Sequence, residues 1–456
     1  MLFSYLKIAW KVLLRRKFFT AISLFGISFT LMILLVVYAM YDFTVGPQMP
    51  EKRVDRLLYA NTMYIWGPNV ENQSGPSYSF LERYIRPLRT PEKVSISTGA
   101  GGTTVAYVGN QKLKLDQKYT DAEFWQILDF DFVEGRPYSA GEVRNAAHVA
   151  VINETTARRY FGRARGVLGR VLVTDEIRYQ VVGVVRDVPA TRLTYADVWM
   201  PITTSTQDIH NAEYMGSCMA IILARTPADL PAVQQEFAQA VARAPLPTDV
   251  YKWCKEVRVY AGSLLATHVR GFYGEDGPDP GVARFVRLVT GLGLLFMLLP
   301  ALSLININIS RIRERSSEIG VRKAFGATSG ALVRQFLVEN IFLTLLGGVL
   351  GLGLAAGALH LLNTSGLIAY TEFGLNGRVF GGAVLAVLLL ASCRVCTRPT
   401  KCPSFKPLKP SRAKALPHDT PFVYLDLEPP PGQFSAHRRS VSGLRGAVCG
   451  GEYAGV

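Results

Sequence analysis

The sequence predicts an α-helical membrane protein of the four-span type, its last span truncated, with a mixed α/β extracytoplasmic domain inserted between spans 1 and 2. Three observations predict it. The 456 residues are 49% hydrophobic and 19% charged with a mean hydropathy of +0.18, too apolar for an ordinary soluble domain and too polar for membrane helices alone. Long uncharged runs stand near the start of the chain and again after residue 287. Between them, residues 41–283 are long enough to bury a core of their own.

The first run, Phe18 to Met40 (FFTAISLFGISFTLMILLVVYAM), carries no charge, and about 20 such residues cross a hydrocarbon core of roughly 30 Å. It is longer than a signal-peptide core and starts too late for one, so 18–40 reads as a retained span 1. Residues 1–17 set Leu6, Trp10, Leu13 and Leu14 among Lys7, Lys11, Arg15, Arg16 and Lys17. This reads as a short amphipathic helix on membrane lipid, or else a solvated basic stub, and either puts the N-terminus in the cytoplasm. Span 2 is placed at 284–308, with Pro300 as a kink, and span 3 at 338–363. Span 3 holds two G-x-x-x-G pairs, Gly347 with Gly351 and Gly353 with Gly357, a spacing that lets helix backbones approach closely in lipid. After a short external loop, 364–378, an apolar run at 379–392 is short for a span. The excess of Lys and Arg at 309–337 agrees with an inside loop. The net charge of +15 therefore reflects membrane topology, and no nucleic-acid partner is expected.

Within 41–283, YVGNQKLKL (107–115) and RYQVVGVV (178–185) read as strand-like, while DAEFWQILDF (121–130) and NETTARRYFG (153–162) have helical spacing. Asn153 is the expected N-cap of the last of these and Gly162 its stop. The order Y-T-D-A-E-F-W-Q-I-L-D-F-D-F-V-E-G-R-P (119–137), VAVINETTARRYFG (149–162), G-R-V-L (169–172) and Y-Q-V-V-G-V-V-R-D-V-P (179–189) resembles the periplasmic core domain of MacB-like and FtsX-like ABC permeases. In physical terms Phe124, Trp125, Phe130, Phe132 and Phe161 suit core packing. His148, His210 and His268 are scattered without metal spacing or a nearby nucleophile motif, so no catalytic set, metal site or cofactor is expected. Cys218 and Cys254 lie on the oxidising side, where a disulfide or two buried thiols are both open.

The loop R-I-R-E-R-S-S-E-I-G-V-R-K-A-F-G-A-T-S-G-A-L-V-R-Q-F-L-V-E-N (311–340) reads as a short cytoplasmic helix, a turn near Gly326, and a second helix entering the bilayer. Glu318 and Arg322 stand at a helical i,i+4 spacing. E-I-G-V-R-K-A-F-G-A (318–327) is similar to the coupling segment of FtsX-like permeases. That resemblance implies that Glu318, Ile319, Gly320, Arg322, Lys323, Ala324, Gly326 and Ala327 dock on an ATPase subunit. No phosphate-binding pattern G-x-x-x-x-G-K-[ST] occurs in the sequence, so a non-catalytic subunit is expected, with ATP hydrolysis in a partner chain. The resemblance also implies a second permease chain, as homo- or heterodimer, and a place in the cell inner membrane with the large domain in the periplasm.

Residues 393–456 hold four of the six cysteines and nine of the 25 prolines without hydrophobic periodicity, and read as a disordered tail. One C-x-x-C there, Cys393 to Cys396, is weak metal spacing. A sharper expectation is a reading-frame change near Ser392. Back-translation from the third codon base of Cys393 onward permits PGVYPAYKMSKLQAVEALK, similar to the segment that ends the last span in FtsX-like permeases. Sequencing the source DNA is the direct test. The predicted function is a permease subunit that couples ATP hydrolysis elsewhere to movement of the outer domain, for efflux, lipoprotein or peptide export, or mechanotransmission. A membrane-anchored sensor without an ATPase is the competing class, and it leaves the 311–340 loop unexplained.

Overall fold

The structure is a computed structural model that describes residues 17–99, 101–206, 209, 213–274, 277–296, 321, 325, 329–365, 373 and 381–382. Helix α1 (Lys17–Val45) opens it. Within it Thr20–Val45, and later Ile341–Thr364, are long and apolar enough to cross a membrane. At 1.5 Å per residue these 26 and 24 residues rise roughly 36–39 Å. The helix runs on past Met40, the boundary read from hydropathy, because Asp42 and Phe43 are themselves buried. It stops where Gly46 N donates to Asp42 O at 2.8 Å.

The outer domain carries two sheets. Its strands are β1 (Leu57–Ala60), β2 (Met63–Trp66), β3 (Glu71–Pro76), β4 (Lys93–Thr98), β5 (Thr103–Val108), β6 (Gln111–Thr120), β7 (Phe132–Gly135), β8 (Val149–Asn153), β9 (Val171–Thr174), β10 (Ile177–Val185), β11 (Val198–Pro201), β12 (Met215–Gly216), β13 (Cys218–Leu223) and β14 (Glu256–Val259). The larger sheet runs β1-β13-β4-β6-β11-β8-β10-β7, with β5 on β6 and β9 on β10, and the smaller runs β12-β3-β2-β14. β8 pairs parallel with β10, and β6 with β11. Helices α2 (Glu154–Phe161), α3 (Leu230–Arg243) and α4 (Leu264–Tyr273) complete this mixed α/β domain. Helix α5 (282–296) and helix α6 (Ser329–Thr364) follow it.

Strand β10 contains the predicted 178–185, and α2 has the predicted ends. Asn153 Oδ1 accepts from Thr156 N at 2.7 Å, and Gly162 sits at φ +75. Two local readings are corrected. Residues 107–115 form not one strand but the hairpin of β5 and β6, because Gly109 takes φ +58 in the turn. Residues 121–130 form only one helical turn, Phe124–Ile127, after which Leu128 is extended. That stretch is shaped by its aromatics. Trp125 and Phe130 close on the buried Trp199 of β11 at 6.1 and 5.3 Å between ring centroids, and tertiary packing of this kind outweighs helix propensity. Of the predicted core aromatics Phe124 is buried, while Trp125, Phe130, Phe132 and Phe161 pack half-buried against the core.

Helices α1 and α6 pack through small residues. A Cβ on Gly347 would lie 2.7 Å from Ile27 Cγ2, and one on Gly351 would lie 2.9 Å from Ser28 O. Leu35, Ala39 and Phe43 continue the seam with Ala355, Leu359 and Phe373. Residue numbers rise along both helices together, so α1 and α6 run parallel. Gly353 and Gly357, the second predicted pair, have nothing within 4 Å of an added Cβ. The seam uses one face of α6 and leaves the other open. Beyond α6, Asn363 both donates to Phe373 O and accepts from Phe373 N, each at 2.9 Å. Phe373 packs at a tilt on Phe43 with ring centroids 4.8 Å apart, and Gly382 lies near Tyr38, earlier along α1.

Candidate functional site: a buried joint between α1 and the outer domain

The end of α1 enters the outer domain through one cluster of buried polar groups. Glycine is needed at position 46 because a Cβ there would lie 2.3 Å from Asp42 O. The last carbonyls of a helix have no partner within it. Here Arg192, from the segment between β10 and β11, supplies one. Its Nη2 donates to Phe43 O at 2.7 Å and to Gly46 O at 2.9 Å, and its Nη1 to Glu51 Oε2 at 3.0 Å. Both side chains of that ion pair have zero exposure. Thr194 Oγ1 donates to the other carboxylate oxygen at 2.7 Å. Just beyond, Arg53 donates to Ile127 O at 2.7 Å and pairs with Asp129 at 3.3 Å, while Asp129 N donates to Pro50 O at 2.8 Å.

A second cation approaches from the sheet. Lys118 of β6 is fully buried, and its Nζ donates to Thr98 O at 2.5 Å, Leu193 O at 2.9 Å and Gly99 O at 3.3 Å. Burial pulls its ammonium down to about 7, since a desolvated charge is disfavoured even when bonded. Tyr59, also buried, is raised well above its ordinary value, by desolvation first and then by the Glu51 carboxylate. These groups hold and orient the end of α1 against the sheet.

The predicted coupling residues, Glu318, Ile319, Gly320, Arg322, Lys323, Ala324, Gly326 and Ala327, lie outside the described residues, as do residues 1–16 and 393–456. Cys218 and Cys254 are free and buried, and burial pushes the Cys218 thiol up to about 12. His148 packs at a tilt against Tyr179, ring centroids 5.4 Å apart, and His268 Nδ1 meets Leu264 O at 2.8 Å, while His210 lies outside the described residues. Among the described residues no group of three His, Cys, Asp or Glu gathers to hold a metal. Sequence reading missed the joint entirely. Glu51 and Arg192 are 141 residues apart, and each alone looks like an ordinary surface charge.

The described residues set an α/β domain on the end of an apolar helix, with further apolar helices after it. Residues 20–240 match the MacB-like periplasmic core domain, and residues 290–394 match the FtsX-like permease C-terminal domain. The chain therefore carries a MacB-like outer domain followed by an FtsX-like permease domain, the two matches together fitting a MacB-like permease. Similar proteins include the "Pyoverdine export ATP-binding/permease protein PvdT" of Pseudomonas syringae pv. syringae, 24% identical over 357 residues, which are 78% of this chain and 52% of that protein. The "Macrolide export ATP-binding/permease protein MacB" of Salmonella typhimurium is 22% identical over 355 residues, 77% of this chain and 52% of that protein. The chain thus spans about half the length of these relatives. Among solved structures, the periplasmic region of MacB from Actinobacillus actinomycetemcomitans matches with a TM-score of 0.32 at 14% identity, covering 46% of this chain and 92% of that one. The extracellular domain of the noncanonic ABC-type transporter YknZ matches with a TM-score of 0.33 at 12% identity, covering 44% and 98%.

Proposed function

We propose that this chain is the permease subunit that couples ATP hydrolysis, performed by a separate ATPase subunit, to movement of its extracytoplasmic domain, for export or mechanotransmission. The observation that carries this reading is the buried joint, which ties an apolar helix of membrane-crossing length directly into the centre of a folded outer domain. Such a tie suits the passage of motion, whereas a passive tether needs none. The parallel run of α1 and α6 supports the four-span topology. Two spans that cross in the same direction need an odd number of crossings between them, and span 2, read from the sequence at 284–308, would be that crossing. Phe373 beside Phe43 and Gly382 beside Tyr38 are the positions expected at the start of a fourth span. We place the N-terminus in the cytoplasm and the outer domain in the periplasm of an inner-membrane protein. A second permease chain completes the unit, and the coupling contact comprises Glu318, Ile319, Gly320, Arg322, Lys323, Ala324, Gly326 and Ala327.

Affinity purification from membranes tests the reading. The wild-type chain is expected to bring an ABC ATPase with it, and E318K/R322E to lose that ATPase while still inserting in the membrane. A wild-type chain that recovers no ATPase, or a variant that retains it, would overturn the proposal.

A further inference from the structure

Three consecutive residues stand at the centre of the joint. Arg192 takes two carbonyls at the end of α1, those of Phe43 and Gly46. Arg192 and Thr194 together occupy both carboxylate oxygens of Glu51. Leu193 O receives the ammonium of Lys118, whose other bonds reach Thr98 and Gly99 at the end of β4. Thr194 O receives Trp199 Nε1 from β11 at 3.2 Å. One tripeptide therefore joins the last turn of α1 to β6, β11 and the end of β4, strands in the interior of the larger sheet. Glu51, Lys118 and Thr194 are fully buried and Arg192 is 2% exposed. In so dry a setting each bond is stronger than in water. Slippage between helix and sheet would also strand several polar groups at once, each at the full cost of an unmade bond.

We infer that the Arg192–Leu193–Thr194 hub makes span 1 and the outer domain one rigid lever, so that a tilt or axial shift of α1 arrives undiminished at the sheet. The purpose of such a lever rests on the permease reading above, but the rigidity is a property of this chain alone. Arg192 is a positioning residue here. A lone ion pair would fix a charge. This guanidinium instead holds two main-chain carbonyls of the span, which fixes the helix end in place whatever side chains it carries.

The test uses the full chain in lipid nanodiscs, its six cysteines replaced by alanine, with spin labels at V37C on an exposed face of α1 and R178C on the exposed side of β10. The unaltered hub should give one narrow distance population. In E51M/R192M the pair becomes apolar, a replacement that buried ion pairs tolerate, but the bonds to Phe43 O and Gly46 O are gone. The narrow population should then be lost and the Gly46 amide should exchange roughly 10- to 100-fold faster, the range given by losing one or two charged hydrogen bonds, while the sheet amides stay slow. A narrow population and a slow Gly46 amide in that variant overturn the inference. Should the double variant lose the slow sheet amides, R192K decides. Lysine keeps the charge against Glu51 but cannot hold both carbonyls, so loss of the narrow population supports the hub and its retention overturns it. Neither readout involves ATP or a partner, so the absence of a co-purifying ATPase would sink the permease reading and leave this result standing.

Discussion

Two buried arginines stand beside the outer domain's neighbouring helices, one at the end of α1 and one ahead of α5, and they use the same chemistry for different ends. Arg192, at the exit of α1, donates to carbonyls and a carboxylate 141 to 149 residues away in sequence. Arg270, in the last turn of α4 ahead of α5, donates to Gly277 O at 2.6 Å and Pro278 O at 3.5 Å, only 7 and 8 residues onward, and lies over the Tyr260 ring at 4.4 Å. Bonds that close short loops shape a turn. Bonds that reach across the chain fix one body to another. Guanidinium suits both roles because its fork offers several donors in one plane and never loses its charge.

The largest expected effect separates the two. R192M strands the buried Glu51 carboxylate and should cost about 3–5 kcal/mol of unfolding free energy, with most of that recovered in E51M/R192M. R270M removes bonds within one turn and should cost about 1–3 kcal/mol. Denaturant midpoints of the full chain in detergent measure both, and an equal loss in the two variants would erase the distinction.

Next in size is a pH dependence that belongs to the Arg192 joint. Lys118 titrates near 7 in the folded chain and near its ordinary 10.5 when unfolded. Between these values the unfolded chain holds a proton that the folded one has released, so stability rises with pH across that window and is flat with respect to this group below it. The contribution is full above about 10.5 and lost as pH falls through about 7. K118M should flatten the rise, and an unchanged slope of unfolding free energy against pH would show that Lys118 does not titrate there.

The smallest contrast lies within α6, where one face is packed and the other open. G351A pushes a methyl toward Ser28 O and Leu31 and should cost about 1–3 kcal/mol by overpacking. G357A enters open space and should change thermal stability in detergent by no more than about 1 kcal/mol, and favourably, since alanine is the better helix former. If both variants lost stability equally, the parallel seam between α1 and α6 would be misplaced.

Much of this architecture was legible in the residues. Hydropathy marked α1 and α6, because crossing about 30 Å of lipid demands an unbroken apolar run whatever surrounds it. Asn153 and Gly162 marked the ends of α2, because a side-chain cap and a left-handed stop are local solutions to unpaired backbone groups. The stretch 121–130 misled, because its helical spacing of apolar residues belongs to an aromatic cluster closing on Trp199. Of the glycines in α6, nothing in their spacing says which pair meets a neighbour, since 347/351 and 353/357 have the same form.

By itself, then, the sequence determined the apolar helices, the α/β outer domain and the resemblance to ABC permeases, because each is written in composition or in neighbours a few residues apart. Only the tertiary structure decided how the first helix is joined to the outer domain. Glu51, Lys118, Arg192 and Phe43 become a joint once β6, β11 and the end of α1 converge, and burial then turns ordinary surface-type charges into bonds that cannot be exchanged for water.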